Sequence, residues 1–168
     1  MTYFAIFINL TNDLETSIYR DKESLKKFST NEYVEHPPHI TLATFANPCE
    51  LILDKLTFNK TKILIDKKDY FSDTDLNYTL YYNIKKNSCL NKLHNNVVDI
   101  IENENIKMLY PFTGPDWKAH ITLAQVKNKK FAKQFSREKY KIETIVDTLS
   151  YVKYENEKHI TLKEKKYC

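Results

Sequence analysis

Apolar residues follow two different periods along the chain, and the change of period separates predicted strands from predicted helices. Residues 2–9 (TYFAIFIN) are apolar on both faces, which is typical of a central strand that is covered on both sides. A helix is predicted next, with Thr11 or Asn12 as its N-terminal cap. Its apolar residues fall on one stripe, as in a helix buried on one side: Leu14, Ile18, Leu25 and Phe28.

The middle of the chain continues with strands. Pro37 and Pro38 force an extended backbone, so the segment HITLATF that follows is predicted as a strand. After an apolar segment near residues 49–58, two further strands are predicted at 62–70 and 76–85. The second alternates clearly, with Leu76, Tyr78, Leu80, Tyr82 and Ile84 on one face and Asn77, Thr79, Tyr81 and Asn83 on the other.

A second long helix opens the remaining part of the chain. Ser88 can cap a helix that carries Leu90, Leu93, Val97 and Ile101 at helical spacing. After a loop containing PFTGPDW, another HITLA segment predicts a strand. A short helix over about residues 129–138 and two strands over about 140–154 and 158–166 complete the pattern.

This order of elements predicts an α+β fold. No Ser/Gly-rich linker interrupts residues 1–168, which are therefore interpreted as a single domain. The pentapeptide HITLA occurs at residues 39–43 and again at residues 120–124, about half a chain length apart. That spacing suggests two similar lobes, each of which contributes one copy to a shared cleft.

The repeated pentapeptide carries the candidate chemistry. Alternate side chains of a strand share a face, so His39 lies beside Thr41, and His120 lies beside Thr122. A hydroxyl can donate a hydrogen bond to a phosphate oxygen, and an imidazole can move a proton near neutral pH. Two such strands side by side would place an acid and a base at one phosphodiester, without a metal. A single copy would indicate only a half-buried strand, whereas the repeat in both halves favours function.

These motifs resemble those of the two-histidine (2H) phosphoesterase superfamily, whose hallmark is His-hydrophobic-Ser/Thr-hydrophobic, once in each lobe. The superfamily includes RNA 2′-5′ ligase-like proteins, cyclic phosphodiesterases and 2′,5′-phosphodiesterases. The resemblance implies a bilobal, pseudo-twofold fold, with two antiparallel sheets around a central cleft and helices outside. It further implies that His39 and His120 are the catalytic acid and base, in either order, and that Thr41 and Thr122 hold the phosphate.

The resemblance implies a phosphoric diester hydrolase without metal or other cofactor. Three kinds of substrate stay open: a 2′,3′-cyclic phosphate, a 2′-5′ oligonucleotide such as 2′-5′ oligoadenylate, or a cyclic oligonucleotide. Many ligase-like members carry a basic residue just after the motif, where this chain has Ala43-Thr44 and Ala124-Gln125. This departure argues against a ligase-like member that handles a longer RNA. The alternative from another class is a non-catalytic RNA- or nucleotide-binding module with the same cleft.

The other histidines have plainer explanations. A third HITL at residues 159–162 is interpreted as a strand with an exposed His159, and a grip on substrate phosphate is the alternative. His36 is interpreted as a surface residue near the cleft entrance, and His94 as a packing residue beside its helix stripe. Cys89 near His94 could suggest a thiol nucleophile, but a structural role is the simpler interpretation. No HxxxH or CxxC spacing indicates a metal site.

Aromatic residues near the second motif offer a substrate contact. Trp117, the only tryptophan, precedes His120 by three residues and is a candidate for stacking on a base of the substrate. Tyr110 and Phe112 could line the same pocket. Core packing is the alternative for each of the three.

Composition narrows the partners. The 42% hydrophobic and 29% charged residues fit an ordinary globular protein, and the net charge of +4 suits a nucleotide or short single-stranded RNA better than a duplex. No apolar run is long enough for a membrane helix. Three widely spaced cysteines favour a reducing compartment. The expectation is a monomer in the cytoplasm.

Overall fold

The computed structural model describes residues 1–73, 76–109 and 113–168, in which eight strands form two antiparallel sheets. The strands are β1 (Tyr3–Asn9), β2 (His39–Phe45), β3 (Thr61–Ser72), β4 (Tyr78–Ile84), β5 (His120–Val126), β6 (Ile142–Val146), β7 (Thr148–Glu155) and β8 (Lys158–Lys166). The α-helices are α1 (Asn12–Leu25), α2 (Ile52–Lys55), α3 (Ser88–Asn103) and α4 (Lys129–Ser136), and 3-10 turns cover Lys26–Phe28, Glu32–Glu35 and Gly114–Asp116.

The two sheets are built in the same way. The first has the strand order β2-β1-β7-β8, and the second has the order β5-β4-β3-β6. In each sheet an inner strand is followed by a long helix and then by the edge strand beside it, as β1-α1-β2 and β4-α3-β5. The edge strands β2 and β5 contact each other. The predicted α+β fold with pseudo-twofold symmetry is therefore confirmed.

One cluster of buried side chains joins both sheets and their helices. The apolar residues of both HITLA strands lie in it, since Ile40, Leu42, Ile121 and Leu123 are almost fully buried. Burying a side chain of this size stabilises the fold by about 1.5–3 kcal/mol. The same strands leave their histidine and threonine on the opposite, half-buried face. Burial of the apolar face therefore decides which way the polar pair points. No helix in the described ranges is long and apolar enough to cross a membrane.

The long closing strand predicted over residues 140–154 is wrong. It consists of β6 and β7, which belong to different sheets and meet at Asp147. β6 pairs with β3, whereas β7 pairs with β1. The Asp147 carbonyl accepts a hydrogen bond from the Tyr167 N–H (2.7 Å), and its carboxylate accepts one from the Thr148 hydroxyl (2.8 Å). No glycine or proline stands where the chain passes from one sheet to the other, and the apolar pattern of the sequence continues through this point.

Three details at element ends also differ from the prediction. Asn87, not Ser88, caps α3, because its side-chain oxygen accepts the Leu90 N–H. Phe28 lies beyond the end of α1 in a 3-10 turn and is 44% exposed. Leu76 precedes β4 in a left-handed conformation (φ 59°) and is largely exposed.

Candidate active site

The two motif histidines occupy equivalent places in the two sheets. β2 begins at His39 and β5 begins at His120, and the two strands share one pattern of burial. His39 lies opposite Asn9 of β1, and His120 lies opposite Asn83 of β4. The two copies of HITLA therefore also pair with their neighbouring strands in the same register.

The threonines repeat the same correspondence two residues farther along. Thr41 lies opposite Phe7, and Thr122 lies opposite Tyr81. In each pair of strands the register shifts just before that aromatic residue, where a bulge occurs. Each lobe therefore presents an imidazole, a hydroxyl and an aromatic ring on one face.

Each catalytic candidate is oriented by its own backbone. The Nδ1 atom of His39 lies 2.6 Å from the Pro37 carbonyl oxygen, and that of His120 lies 2.7 Å from the Lys118 carbonyl oxygen. Because a carbonyl can only accept, Nδ1 carries the proton in both rings. The Nε2 atom of each ring is left with the lone pair that proton transfer requires.

Aromatic rings hold these imidazoles in different ways. Phe7 lies parallel to the His39 ring, with centroids 3.6 Å apart. Phe71 and Tyr81 instead meet the His120 ring edge to face, at 5.1 Å and 5.3 Å. Phe71 and Tyr81 are themselves stacked at 4.1 Å. The packing restricts the orientation of both histidines.

Burial lowers the pKa of both motif histidines, but to different extents. For His39, burial places the pKa well below its usual value, the Pro37 carbonyl opposes this, and His159, Lys22 and His36 lower the pKa further. For His120, burial lowers the pKa and the hydrogen bond to the Lys118 carbonyl raises it. Both imidazoles are therefore neutral near pH 7, and His39 is the harder one to protonate.

The predicted exposure of His159 and His36 is wrong. Both are half-buried, and their ring centroids lie 4.4 Å apart. The His159 ring is also 5.5 Å from the His39 ring. The cause is the 3-10 turn Glu32–Glu35, which is fastened over this end of the first sheet by a hydrogen bond from the Tyr154 hydroxyl to the Glu32 carboxylate (3.0 Å). The histidine rings of the first and third HITL segments therefore lie close together, although β2 and β8 are the opposite edges of the first sheet.

The base-stacking role predicted for Trp117 is also contradicted. Trp117 is only 9% exposed, and its ring lies parallel to that of His94 at 4.4 Å. Its indole N–H donates to the Thr41 carbonyl oxygen (3.3 Å), so the ring supports β2 from the core side. A buried ring already stacked on a protein side chain has no face for a base. Tyr110 and Phe112 lie outside the described residues.

His94 has the predicted packing role. It is almost fully buried in the described structure, with Nδ1 donating to the Leu42 carbonyl oxygen (2.7 Å). Its Nε2 accepts the Gly114 N–H (3.3 Å), at the chain's only glycine, which has a positive φ of 59°. His94 therefore links α3 to β2 and to the loop before β5.

One functional signal was missed in the sequence. The strands that pair with the motifs carry a second repeat, Ile6-Phe7-Ile8-Asn9 and Leu80-Tyr81-Tyr82-Asn83. Both segments were predicted as strands, but their similarity was not recognised. The Asn9 amide donates to the Glu164 carboxylate (2.8 Å), and the Asn83 amide donates to the Asp66 carboxylate (2.7 Å). An apolar-aromatic-apolar-Asn pattern in both halves could have been found beside HITLA.

Comparison with known proteins decides the family. A model of the 2′-5′ RNA ligase superfamily matches residues 14–158. The chain belongs to this superfamily. It is a superfamily of 2H phosphoesterases, so the resemblance drawn from the two HITLA motifs is confirmed. No curated protein has a significant sequence match to the chain.

Solved structures of the superfamily share the fold at low identity. Escherichia coli LigT complexed with 3′-AMP has a TM-score of 0.68 and 12% identity, covering 99% of this chain and 98% of LigT. TT0787 of Thermus thermophilus has a TM-score of 0.62 and 13% identity, covering 98% and 97%. The MHV ns2 PDE domain has a TM-score of 0.53 and 15% identity, covering 92% and 100%. At these identities the 2H phosphoesterase fold is shared over nearly the whole chain.

Within the described ranges, no group of three or more His, Cys, Asp or Glu side chains is arranged to hold a metal ion. This includes the group of His36, His39 and His159, whose rings lie close together.

Proposed function

We propose that this protein is a phosphodiesterase that hydrolyses a small nucleotide or a short RNA by acid–base catalysis between His39 and His120. Thr41 and Thr122 hold the phosphate in this proposal. The observation that carries it is the equivalent anchoring of the two imidazoles, each through Nδ1 to a carbonyl two residues earlier. Such anchoring is expected where Nε2 must meet a reacting atom at a fixed angle.

The reaction needs one proton accepted and one proton donated. One Nε2 takes the proton of the attacking water or ribose hydroxyl as its oxygen bonds to phosphorus. The other histidine reacts from its imidazolium form, whose Nε2–H donates a proton to the leaving oxygen. The total number of protons on the two histidines is therefore unchanged when the phosphodiester is cut. The threonine hydroxyls donate to the non-bridging oxygens, where negative charge increases. These residues supply the acid, the base and the phosphate contacts, so the proposal requires no metal.

The substrate class rests on the superfamily and on nucleotide complexes of a relative. LigT has been solved with 3′-AMP, with ATP and with NADP⁺, and ns2 is described as a PDE domain. A nucleotide or oligonucleotide phosphodiester is the common chemistry. We keep a 2′,3′-cyclic phosphate, a 2′-5′ oligonucleotide and a cyclic oligonucleotide as the three substrates to distinguish.

The setting proposed is the cytoplasm, with the protein as a monomer. The three cysteines are all free, Cys49 buried and Cys89 and Cys168 exposed, as in a reducing compartment.

The first test is turnover in the presence of EDTA. The wild-type protein is incubated with 2′,3′-cyclic nucleotides, 2′-5′ and 3′-5′ oligoadenylates and cyclic di- and trinucleotides, and the products are resolved by chromatography and mass. Cleavage of one class that is lost in His39→Ala/His120→Ala supports the proposal. Cleavage that persists in this double variant, or that disappears with EDTA alone, contradicts it. Tight binding of one compound without cleavage would instead indicate the nucleotide-binding module.

The threonines give a second, smaller effect. Thr41→Val and Thr122→Val keep the shape of the side chain and remove the hydroxyl, so each should lower kcat/KM by about 10- to 150-fold, the equivalent of a hydrogen bond to a charged group. Thr161→Val is the matched control, because Thr161 stands in the third HITL and is exposed. A loss of the same size in the control would show that the effect does not come from phosphate contacts.

A further inference from the structure

Several side chains that the proposed reaction does not use converge on His39. His159 from β8 meets the His39 ring edge to face at 5.5 Å and lies 5.1 Å from Phe7, the residue stacked on His39. His36 lies 4.4 Å from His159, on the chain segment that leads into β2. Three of the five histidines of the sequence thus form one cluster in the first lobe.

Two buried imidazole nitrogens of this cluster have no hydrogen-bond partner among the described residues. His159 shares its Nε2 with the Tyr3 hydroxyl (3.3 Å), and its Nδ1 is buried with no partner among the described residues. The Nε2 of His36 is likewise buried and has no partner among the described residues. An imidazolium donates from both nitrogens, and a buried donor without an acceptor is costly. The missing acceptors at His159 Nδ1 and His36 Nε2 therefore oppose protonation of both rings, although a hydrogen bond to the Glu157 backbone partly offsets this for His36.

A buried positive charge lies behind the same cluster. Lys22 of α1 is 2% exposed, and its ammonium donates to the carbonyl oxygens of Tyr33 (3.0 Å) and His36 (2.6 Å). Of the nearby carboxylates, Glu32 accepts the Tyr154 hydroxyl. The titratable and charged groups that face the cluster come from four elements: Lys22 from α1, Glu32, Tyr33 and Glu35 from the 3-10 turn, Tyr3 from β1 and Tyr154 from β7. The backbone of Glu157, in the β7–β8 turn, also bonds to His36 and raises its pKa.

We propose that His159 is a positioning residue for His39, which it holds in the neutral, proton-accepting form with Nε2 toward the cleft. The proposal rests on the function proposed above and assigns its two roles. His39 Nε2 accepts the proton of the attacking oxygen, and His120, in its imidazolium form, donates the proton on its Nε2 to the leaving oxygen. The third HITL then serves the first motif and does not bind a second phosphate.

The direction of the pKa changes agrees with this geometry. Burial, together with His36 and Lys22, lowers the pKa of His159 to about 4, so this ring adds no charge beside His39 near neutral pH. Its contribution is to exclude water from the His39 ring, and burial is the largest cause of the lowered pKa of His39. Removal of the His159 ring should therefore admit water and make His39 easier to protonate.

The test follows each histidine separately by long-range ¹H–¹⁵N spectra of the imidazoles during a pH titration. In His159→Ala the titration midpoint of His39 should rise by on the order of one pH unit, while that of His120 stays unchanged. His159→Phe keeps a ring against Phe7 and His39 and should restore the wild-type midpoint. Thr161→Val, on the same strand and exposed, should have no effect.

Two results would overturn the proposal. One is an unchanged midpoint of His39 in His159→Ala, and the other is an equal shift of His39 and His120, which would indicate a general loosening of the fold. Kinetics add a second criterion, because the ascending limb of kcat/KM against pH should move with the His39 midpoint, while the plateau falls less than about tenfold. A shifted midpoint in a protein without any turnover would leave His159 as positioning residue and refute the phosphodiesterase function instead.

Discussion

The two lobes place a histidine in the same strand position but surround it with different chemistry. His39 is accompanied by two further imidazoles and by the buried Lys22 ammonium. His120 is accompanied by Phe71 and Tyr81, and the Tyr81 hydroxyl bonds to the Asp69 carboxylate. The Lys22 cation therefore lowers the pKa of the His39 imidazole, whereas the pKa of the His120 imidazole is shifted by burial and by its hydrogen bond to the Lys118 carbonyl. The shared strand register places His39 and His120 in equivalent positions, and their different surroundings give the two imidazoles different properties.

The position three residues before each motif histidine shows the same contrast. In the second lobe it is Trp117, whose indole N–H donates to the Thr41 carbonyl of the first lobe. In the first lobe it is His36, whose Nε2 has no partner among the described residues. One position therefore closes the contact between the lobes, and its counterpart adds to the histidine cluster.

The largest expected effect separates the acid from the base through the leaving group. On a nucleoside phosphodiester with a natural alcohol leaving group, His39→Ala and His120→Ala should each lower kcat/KM by about 10²–10⁴-fold. On a p-nitrophenyl ester, whose leaving group departs without a proton, His120→Ala should recover most of its activity and His39→Ala should not. Initial rates on the two substrates measure this difference.

The double variant is the control for this comparison. Because the two imidazoles act on one transition state, His39→Ala/His120→Ala should be little worse than the worse single variant. Recovery of His39→Ala on the p-nitrophenyl ester, with none for His120→Ala, would reverse the assignment of base and acid.

The next effect concerns stability and compares Trp117 with His36. Trp117→Ala removes a buried ring and leaves the Thr41 carbonyl without its donor, so the free energy of unfolding should fall by about 3–5 kcal/mol. His36→Ala removes a half-buried ring and should cost only about 1 kcal/mol. Urea denaturation measures both.

Trp117→Phe is the matched variant, since it keeps a ring against His94 and loses only the hydrogen bond. Its free energy of unfolding should lie between that of the wild type and that of Trp117→Ala. A Trp117→Ala protein of unchanged stability but weaker nucleotide binding would restore the base-stacking role that the structure contradicts.

Sequence reasoning was most reliable where a residue pattern directly implies a backbone geometry. HITLA in both halves predicted two equivalent strands, and burial of Ile40 and Ile121 confirms that their histidines lie on the other face. The buried faces of α1 and α3 were likewise predicted, because the spacing of apolar residues follows the helical period. The split of residues 140–154 between two sheets was not predictable, because the change of sheet at Asp147 leaves no break in the apolar pattern.

The histidine cluster could not be predicted from the sequence, for a different reason. His36, His39 and His159 are brought together by the turn Glu32–Glu35 and by the far end of β8, and no local pattern encodes that approach. Trp117 was misjudged because nearness in sequence to His120 was taken as nearness to the substrate. Long-range packing had placed it in the core instead.

The smallest expected effect is the loss of stability in mild acid, which should come mainly from the first lobe. Burial lowers the pKa of all five histidines below the unfolded value of about 6.5. Between the folded and unfolded pKa values the unfolded chain binds more protons, so the free energy of unfolding must fall as the pH falls below about 7. Each unit of lowered pKa accounts for up to about 1.4 kcal/mol.

Urea denaturation between about pH 7.5 and pH 5 measures this dependence before most carboxylates titrate. The variant His36→Gln/His159→Gln should flatten it, since two groups that resist protonation in the fold no longer titrate. His120→Gln, with one such group in the other lobe, should flatten it less. If the double variant kept the wild-type slope, the first-lobe cluster would not be the site of proton exclusion, and the contrast between the lobes would have to arise from the second lobe.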